Sequence, residues 1–369
     1  MNPDALSTRL GEYISRVLPA AHGHQRKAVA DFALALVTVQ SCCQAALARS
    51  FDNFEAASKR LSRLLHNARL EAEGLARAHA RALCAQLPSA GAVRLSLDWT
   101  TEDSQHLLVA SLRVGGRAVP VYWRAYHDAE LAERMTGYEL EFVRLLFDEV
   151  LAGVERRRFV LTADRWFADV DLLDSLDELG ISYVIRTKSN YKVRVEGRWL
   201  RLDSLRWRGN QRRRAWGRVW YAETDPRRVF LAQSRARDAK GHWEVWHLLS
   251  NRPLSAVRMT REYARRFTCE EGFRDSKRLL GFAEARIACV AAWARMFALV
   301  ALALLMLTRM GCALLERADR AGLLRRVRSR RRARSELSLV RSIVELLTRD
   351  ESLWQLLRHQ QRLDLEAGL

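Results

Sequence analysis

The chain has 369 residues, of which 49% are hydrophobic and 28% charged, so it is long and apolar enough to fold into two or three domains rather than remain disordered. Lys and Arg number 62 against 43 Asp and Glu, which gives a formal net charge of +19. This excess of positive charge predicts a polyanionic partner, with nucleic acid favoured over a membrane surface.

The cysteines and the apolar segments exclude several other classes of protein. The six cysteines form no CxxC pair, so neither a zinc site nor a disulfide framework is predicted, and a reducing compartment is favoured. The first residues carry acidic side chains and lack the apolar stretch of a secretion signal. The longest apolar run, Met296 to Thr308, is too short to span a bilayer, so we predict a buried helix there and no membrane partner.

Residues 1–87 have the apolar spacing of several short helices, and the last of these helices is basic. We predict a helical DNA-binding domain related to the helix-turn-helix class, in which Lys59, Arg60 and Arg63 contact DNA. An ordinary helical bundle with a charged surface explains the same pattern equally well.

Residues 88–188 have the pattern of a mixed α/β domain. The segment VRLSLDWT alternates apolar and polar residues as a half-buried strand does, and two further strands follow, joined at Gly115 and Gly116. A helix over 129–154, a strand ending at Asp164, another helix and another strand come next. This order is that of a ribonuclease H-like core, which is the fold class we predict.

Residues 189–250 change to short alternating runs with several tryptophans and a basic cluster. We predict a β-rich insertion there, in which Arg212, Arg213 and Arg214 contact DNA.

Helices return after the insertion. Residues 251–315 are predicted to complete the core with a catalytic helix and the buried helix, and residues 316–369 to form a basic helical C-terminal region. The run RRVRSRRRAR at 325–334 either grips DNA or is a solvated stretch of charge, and we favour contact with DNA.

Three carboxylates have the positions that phosphodiester chemistry requires. Two divalent ions about 3.5–4 Å apart can activate an attacking oxygen and stabilise a leaving oxygen, and acidic side chains must hold them. Mg²⁺ prefers oxygen ligands and keeps several waters, so few carboxylates suffice. Asp98 at the end of the first strand and Asp164 at the end of the fourth become neighbours in a ribonuclease H-like sheet, and Glu270 on a later helix can complete the set. Alternatively, the two aspartates only begin turns, as Asp often does after strands.

The stretch YARRFTCEEGFRDSK places four functional residues at helical spacing. On one continuous helix at about 100° per residue, Tyr263, Arg266, Glu270 and Lys277 share one narrow face. Glu270 would then reach the metals, Arg266 and Lys277 would neutralise phosphates, and Tyr263 would pack or hydrogen-bond against the DNA strand. A solvated helix surface is the simpler explanation of such a face for an arbitrary polar stretch.

These residues resemble the DDE transposases of bacterial insertion sequences, in particular the insertion sequence four group marked by the signature Y-x2-R-x3-E-x6-K, or YREK. The stretch from Tyr263 to Lys277 matches every spacing of that signature. The segments LDWT around Asp98 and LTADRWFADVDLL around Asp164 also resemble the contexts of that family's two aspartates, although a glycine is commoner at the position of Trp166. The resemblance covers roughly residues 90–310.

The resemblance implies a cut-and-paste reaction. It implies metal-dependent nicking at inverted-repeat ends, a DNA hairpin that is opened again, and joining of the 3′-hydroxyl ends to target DNA, with two Mg²⁺ ions per site that Mn²⁺ can replace. It also implies a homodimer on paired DNA ends in the bacterial cytoplasm, associated with the nucleoid. Hairpin formation is easier when a base leaves the stack, and Trp246 is our candidate platform for that base, with a core position in the insertion as the alternative.

Two other functions fit part of the sequence. A ribonuclease H-like nuclease that cuts without joining would share the three acids, but it would have less reason for the basic head and the tryptophan-rich insertion. A transposase-derived DNA-binding protein would not need the acids to be intact.

Overall fold

The computed structural model describes residues 10–356, apart from residues 16, 20, 115, 133, 208–210, 238–240 and 328–337. Most of the arginine-rich run at 325–334 and one residue of the predicted glycine turn, Gly115, therefore lie outside the described residues. The chain divides into two compact units. The first comprises Met1–Ser89, Trp99–Ala129 and Cys269–Leu369, and the second Ala90–Asp98 and Glu130–Thr268.

Helices make up most of the first unit. They are α1 Gly23–Val39, α2 Gln44–Arg49, α3 Phe54–Leu65, α4 Ala72–Cys84, α5 Asp128–Leu131, α9 Phe267–Arg274, α10 Val290–Glu316, α11 Arg320–Arg325 and α12 Leu339–Leu347. Helix α9 belongs to this unit from Cys269 onward. The amphipathic spacing of α3 explains its orientation, because Leu61 and Leu65 are buried while Lys59 and Arg63 are exposed.

The long helix α10 confirms the predicted buried helix. It is the one helix in the described part of the chain that is long and apolar enough to cross a membrane, and 89% of its most apolar window is buried inside the protein. A core helix has the same composition, and the buried Arg295 on α10 donates hydrogen bonds to the carbonyls of Leu65 and Leu70. These contacts explain how the helix carries a charged residue within its apolar length.

The first unit also contains a β-hairpin. Strand β2 (Gln105–Val114) pairs antiparallel with β3 (Arg117–His127), and β2 neighbours β1 (Val93–Glu102), whose last residues belong to this unit. The predicted three strands are confirmed within two residues at each end.

The second unit is built on a large mixed sheet. Its strand order is β1-β4-β5-β10-β9-β8-β6-β7, with β4 Phe159–Ala163, β5 Ser182–Thr187, β6 Lys192–Val195, β7 Arg198–Arg201, β8 Arg213–Tyr221, β9 Arg227–Arg237 and β10 Trp243–Ser250. Strands β1, β4 and β5 run parallel, whereas β10 joins β5 antiparallel. The predicted insertion therefore extends the sheet through its own strands rather than standing apart from it.

Three further helices lie in the described part of the second unit. They are α6 Met135–Leu145, α7 Val170–Glu178 and α8 Ala256–Ala264. The helix predicted over 129–154 is interrupted, because α5 ends at Leu131 and a π-helical turn, Leu146–Val150, follows α6. Helix α7 forms the crossover that parallel strands β4 and β5 require. The mixed α/β architecture is consistent with the predicted ribonuclease H-like core.

Candidate active site

The two predicted catalytic aspartates are brought together by the register of two strands. Leu97 of β1 is the Cα partner of Ala163 of β4 in a parallel pairing, and that pairing ends there. Asp98 and Asp164 directly follow these last partners, so the register brings their backbones close together. Strand β1 itself continues to Glu102, so Asp98 marks the end of the pairing rather than the end of the strand.

Asp98 is held by a buried arginine. The Nη1 atom of Arg266 donates to the Oδ2 atom of Asp98 at 2.6 Å, and the side chains are 6% and 19% exposed. A guanidinium so close to the carboxylate stabilises its charged form in a largely dry environment. We predicted that Arg266 contacts phosphates from the helix surface, but in this structure it neutralises Asp98.

Asp164 is held by a buried tyrosine. The hydroxyl of Tyr263 donates to the Oδ1 atom of Asp164 at 3.2 Å, and the ring of Tyr263 has no exposed surface. Burial raises the pKa of Tyr263 to about 12, so the hydroxyl keeps its proton and acts as a donor at neutral pH. The predicted contact of Tyr263 with DNA is not available to a side chain buried in this way.

The helix that was predicted over residues 263–277 is broken twice. Helix α8 ends at Ala264, and the backbone N–H groups of Arg265 and Arg266 bond to carbonyls three residues earlier. Helix α9 begins at Phe267, and a π-helical turn, Asp275–Leu279, follows it. The four signature residues therefore do not share one regular helical face, although their spacing fits one.

An ion-pair network that we did not predict fixes the break between the helices. Glu262 accepts hydrogen bonds from Arg94 at 2.9 Å and from Arg265 at 2.5 Å. Burial opposes ionisation of Glu262, but the two guanidinium groups outweigh it and hold its pKa below the ordinary value. Arg94 lies on β1, so this network ties the end of α8 to the strand that carries Asp98. No spacing rule in the sequence connects residues so far apart.

Glu270 and Lys277 lie in the first unit, beyond the unit boundary between Thr268 and Cys269. The side chain of Glu270 projects from the first turn of α9 and is exposed. Lys277 pairs with Glu102 at 2.6 Å, and its Nζ atom donates to the carbonyl of Thr101 at 2.8 Å. The convergence of Glu270 with the two aspartates stays a prediction.

Trp246 is buried rather than open to a base. It is 5% exposed and packs with Tyr263 in a hydrophobic cluster, where the two ring centroids lie 5.1 Å apart. Phe267 lies 5.6 Å from the ring of Trp246 and is itself 39% exposed. The structure thus places Trp246 in the core, as the alternative describes, and its stacking on a base stays a prediction.

The predicted DNA contacts of the N-terminal helices divide into two kinds. Lys59 and Arg63 are exposed on α3. Arg60 instead pairs with Asp31 at 3.2 Å and lies 5.2 Å from the ring centroid of Phe32. Arg60 thus stabilises the packing of α3 on α1, and its predicted role in DNA contact is not supported by these contacts.

The predicted DNA contacts of the insertion lie at the start of β8. Arg212 and Arg213 are exposed. Arg214 lies over the ring of Trp216 at 3.7 Å and donates to the carbonyl of Arg206 at 3.1 Å, so its side chain is partly engaged within the insertion.

The aspartate pair fits a divalent cation in its chemistry. Asp98 and Asp164 provide hard oxygen donors from two adjacent parallel strands, which is the donor type that Mg²⁺ prefers. Within the described residues, no three His, Cys, Asp or Glu side chains are grouped closely enough to hold a metal ion. A site of two carboxylates leaves room for water and for a phosphate oxygen, and a third carboxylate would complete it.

Comparison with protein families gives a match that covers part of the chain. Residues 144–306 match the model of the family described as transposase DDE domain. The match includes Asp164 and the stretch from Tyr263 to Lys277, and it begins after Asp98. It supports a DDE transposase, which is a metal-dependent enzyme that binds, cuts and joins DNA. No match to the chain was found among curated proteins.

Proposed function

We propose that the protein is a cut-and-paste DNA transposase of the YREK group, in which Asp98, Asp164 and Glu270 form the catalytic set. The observation that carries this proposal is the parallel register of β1 and β4, which sets Asp98 beside Asp164. The match to the transposase DDE domain supports the same reaction class.

The chain's own residues prepare the site for phosphoryl transfer. Asp98 and Asp164 would hold the ions, with Mg²⁺ as the physiological metal and Mn²⁺ as a substitute, and Glu270 would supply the third carboxylate. When bound, two such ions activate the attacking oxygen and stabilise the leaving oxygen. Tyr263 orients the Asp164 carboxylate, and Arg266 compensates the charge of Asp98 until DNA binds. Tyr263 lies in the last turn of α8 and Arg266 in the turn between α8 and α9, so this part of the chain positions both aspartates.

The DNA partners follow from the charge and from the proposed reaction. Inverted-repeat ends and target DNA would bind to basic surfaces that include Lys59, Arg63, Arg212 and Arg213. Cleavage would pass through a hairpin with a base on Trp246, and two copies of the chain would act on paired ends in the bacterial cytoplasm, near the nucleoid. The arginine-rich tail would add DNA contact.

The test is an incubation of the full chain with DNA that carries the flanking inverted repeats and either Mg²⁺ or Mn²⁺. Nicked, hairpin and strand-transfer products are expected. Nicking without hairpin or joined products would favour the ribonuclease H-like nuclease. Binding without any metal-dependent cleavage would favour the transposase-derived DNA-binding protein.

A further inference from the structure

Trp166 is an exposed aromatic residue beside a proposed catalytic carboxylate. It is 65% exposed, which makes it the most exposed large hydrophobic side chain in the part of the chain that the structure describes. It follows Asp164 by two residues, in the short 3-10 turn Arg165–Phe167. A tryptophan so exposed loses the stabilisation that its burial would give.

The turn holds Trp166 in a fixed position. The backbone N–H of Arg165 bonds to the side chain of Asp164 at 2.7 Å, and that of Phe167 bonds to the Asp164 carbonyl at 3.0 Å. Phe167 is 1% exposed and anchors the turn in the core. Because the residues on both sides are fixed, the indole has little backbone freedom, and the entropy cost of ordering it on a ligand is small.

One face of the indole is already occupied by a cation. The Nζ atom of Lys188 lies 3.7 Å from the ring centroid of Trp166. A cation over one face of the ring is attracted by its quadrupole, and at 65% exposure the indole still has surface to offer to a planar partner. The ammonium group of Lys188 can also pair with the phosphate of a nucleotide whose base stacks on the indole.

A basic cleft lies next to Trp166 and includes its neighbour Arg165 and Lys188 in its lining. It is a cavity of about 500 Å³ whose lining includes Arg165, Lys188, Ser189, Arg206, Trp207 and Arg235. Within the described residues, Arg165, Lys188 and Arg206 have no carboxylate within ion-pair distance. The acid on the lining, Asp203, is paired with Arg201 at 2.6 Å. The cleft therefore keeps an excess of positive charge.

The floor of the basic cleft is polar but uncharged. The amide of Gln233 has no exposed surface and lies 2.9 Å from the Nδ1 atom of His247. Burial lowers the pKa of His247 to about 4, so the imidazole is neutral at physiological pH. These buried groups are hydrogen-bonded within the protein and carry no negative charge, so they do not offset the positive charge of the cleft lining.

We propose that Trp166 and the basic cleft bind an unpaired strand of DNA, with one base stacked on Trp166 and the following phosphates held by Arg165, Lys188 and Arg206. This inference rests on the proposed function, because Asp164 sets the place of the cut phosphate. A duplex fits less well, since its bases are stacked on each other and offer no face to the indole. Trp166 is thus a specificity-determining residue for strands that have left the duplex near the cut.

The test measures binding rather than cleavage. The full chain carrying Asp98→Asn is titrated, in EDTA, with a labelled single strand of about 12 nucleotides, a length within the range of about 4–16 nucleotides for such sites. A matched duplex and a mononucleotide serve as the other ligands. A 2-aminopurine in the single strand reports stacking through quenching of its fluorescence.

We expect Trp166→Ala to weaken binding of the single strand about 5- to 100-fold and to abolish the quenching, because a stacked base contributes about 1–3 kcal/mol. Trp166→Phe should retain most of the affinity, and Lys188→Met should lower the salt slope by about one. Trp243→Ala is the matched control, since Trp243 is 57% exposed, lies in the same unit and has Arg237 over its ring at 4.8 Å. Trp243→Ala should change neither the affinity for the single strand nor the quenching.

Three results would overturn the proposal. They are equal loss of duplex and single-strand binding in Trp166→Ala, unchanged single-strand binding in a folded Trp166→Ala protein, and a mononucleotide that binds as well as the strand. Because no metal is present, these results are independent of cleavage. Failure of the proposed function would appear instead as absence of metal-dependent products with the wild-type chain.

Discussion

Asp98 and Asp164 lie next to each other at one edge of the sheet because their preceding residues are partners in parallel register. Two adjacent carboxylates repel each other unless a counter-charge or a hydrogen-bond donor is present. Arg266 provides the charge for Asp98, and Tyr263 provides the donor for Asp164. Arg266 and Tyr263 therefore hold the two carboxylates in place where a cation would bind.

Replacing either aspartate should stop cleavage without stopping binding. Asp98→Asn or Asp164→Asn keeps the size of the side chain but removes the charge that a divalent cation needs. We expect cleavage of inverted-repeat DNA to fall at least about a thousand-fold, which is about 4 kcal/mol in the activation barrier. A gel assay in Mg²⁺ measures cleavage, and anisotropy with the same DNA measures binding.

The control for this experiment is Asp103→Asn. Asp103 is exposed in the turn after β1 and has a φ of 50°, which asparagine also tolerates. Normal cleavage by Asp98→Asn or Asp164→Asn would remove that residue from the catalytic set.

The pair of Arg266 and Asp98 should be coupled in stability. Arg266→Gln leaves a carboxylate without its cation in a largely buried place, and we expect it to destabilise the fold by about 2–4 kcal/mol. In the Asp98→Asn protein, Arg266→Gln should lower the free energy of unfolding less, since no unpaired carboxylate then remains. A double-mutant cycle by urea unfolding measures this coupling, and additive effects of the two changes would contradict it.

Tyr263→Phe tests the hydrogen bond to Asp164. The ring and its packing stay, while the donor to the carboxylate is lost, so we expect about 1 kcal/mol of lost stability and slower cleavage. Tyr191→Phe is the matched control, because within the described residues the hydroxyl of Tyr191 has no hydrogen-bond partner. Equal effects of the two changes on cleavage would mean that the donor is irrelevant.

Gly272 should resist substitution because helix α9 lies directly on β3. A Cβ atom at this position would stand 2.8 Å from the carbonyl oxygen of Ala118. Gly272→Ala must therefore shift the backbone, and we expect a loss of about 1–3 kcal/mol in the free energy of unfolding. Gly322→Ala is the control, since nothing lies within 4 Å of its added Cβ. Thermal unfolding that leaves both variants equally stable would disprove the close contact.

Acid should destabilise the fold through His79. Burial lowers the pKa of His79 to about 4, and the charge of Arg309 adds to this, although a hydrogen bond with the carbonyl of Pro120 opposes it. An exposed histidine in the unfolded chain binds a proton near pH 6.5. Between these values the unfolded state binds more protons, so the free energy of unfolding falls as the pH drops from about 6.5 to about 4.

The comparison for this prediction is between the wild type and His79→Gln. Burial raises the pKa of Asp275 to about 6, and that group titrates in the same range with the opposite sign. The difference between the two proteins isolates His79, and it should reach the order of 3 kcal/mol across the range. Parallel stability curves from urea unfolding at several pH values would show that His79 does not contribute.

The sequence predicts the elements of the core better than their junctions. Alternation placed β1, and short apolar runs bounded by turn residues placed β2–β5, which are buried over most of their length. The break at Arg265 could not be predicted, since no glycine or proline marks it and contacts with Arg94 and Asp98 on a distant strand produce it. Likewise, burial of Trp246 depends on Tyr263 and Phe267, which are close only in the folded chain.

The central claim is that Asp98, Asp164 and Glu270 hold the same cations. Crystals of the full chain with inverted-repeat DNA and Mn²⁺, measured at the manganese absorption edge, locate each ion directly. Anomalous peaks within about 2.3 Å of carboxylate oxygens of all three residues are expected, as for a hard cation with oxygen ligands. Peaks bound to other side chains, with these three carboxylates bound to no ion, would contradict the claim.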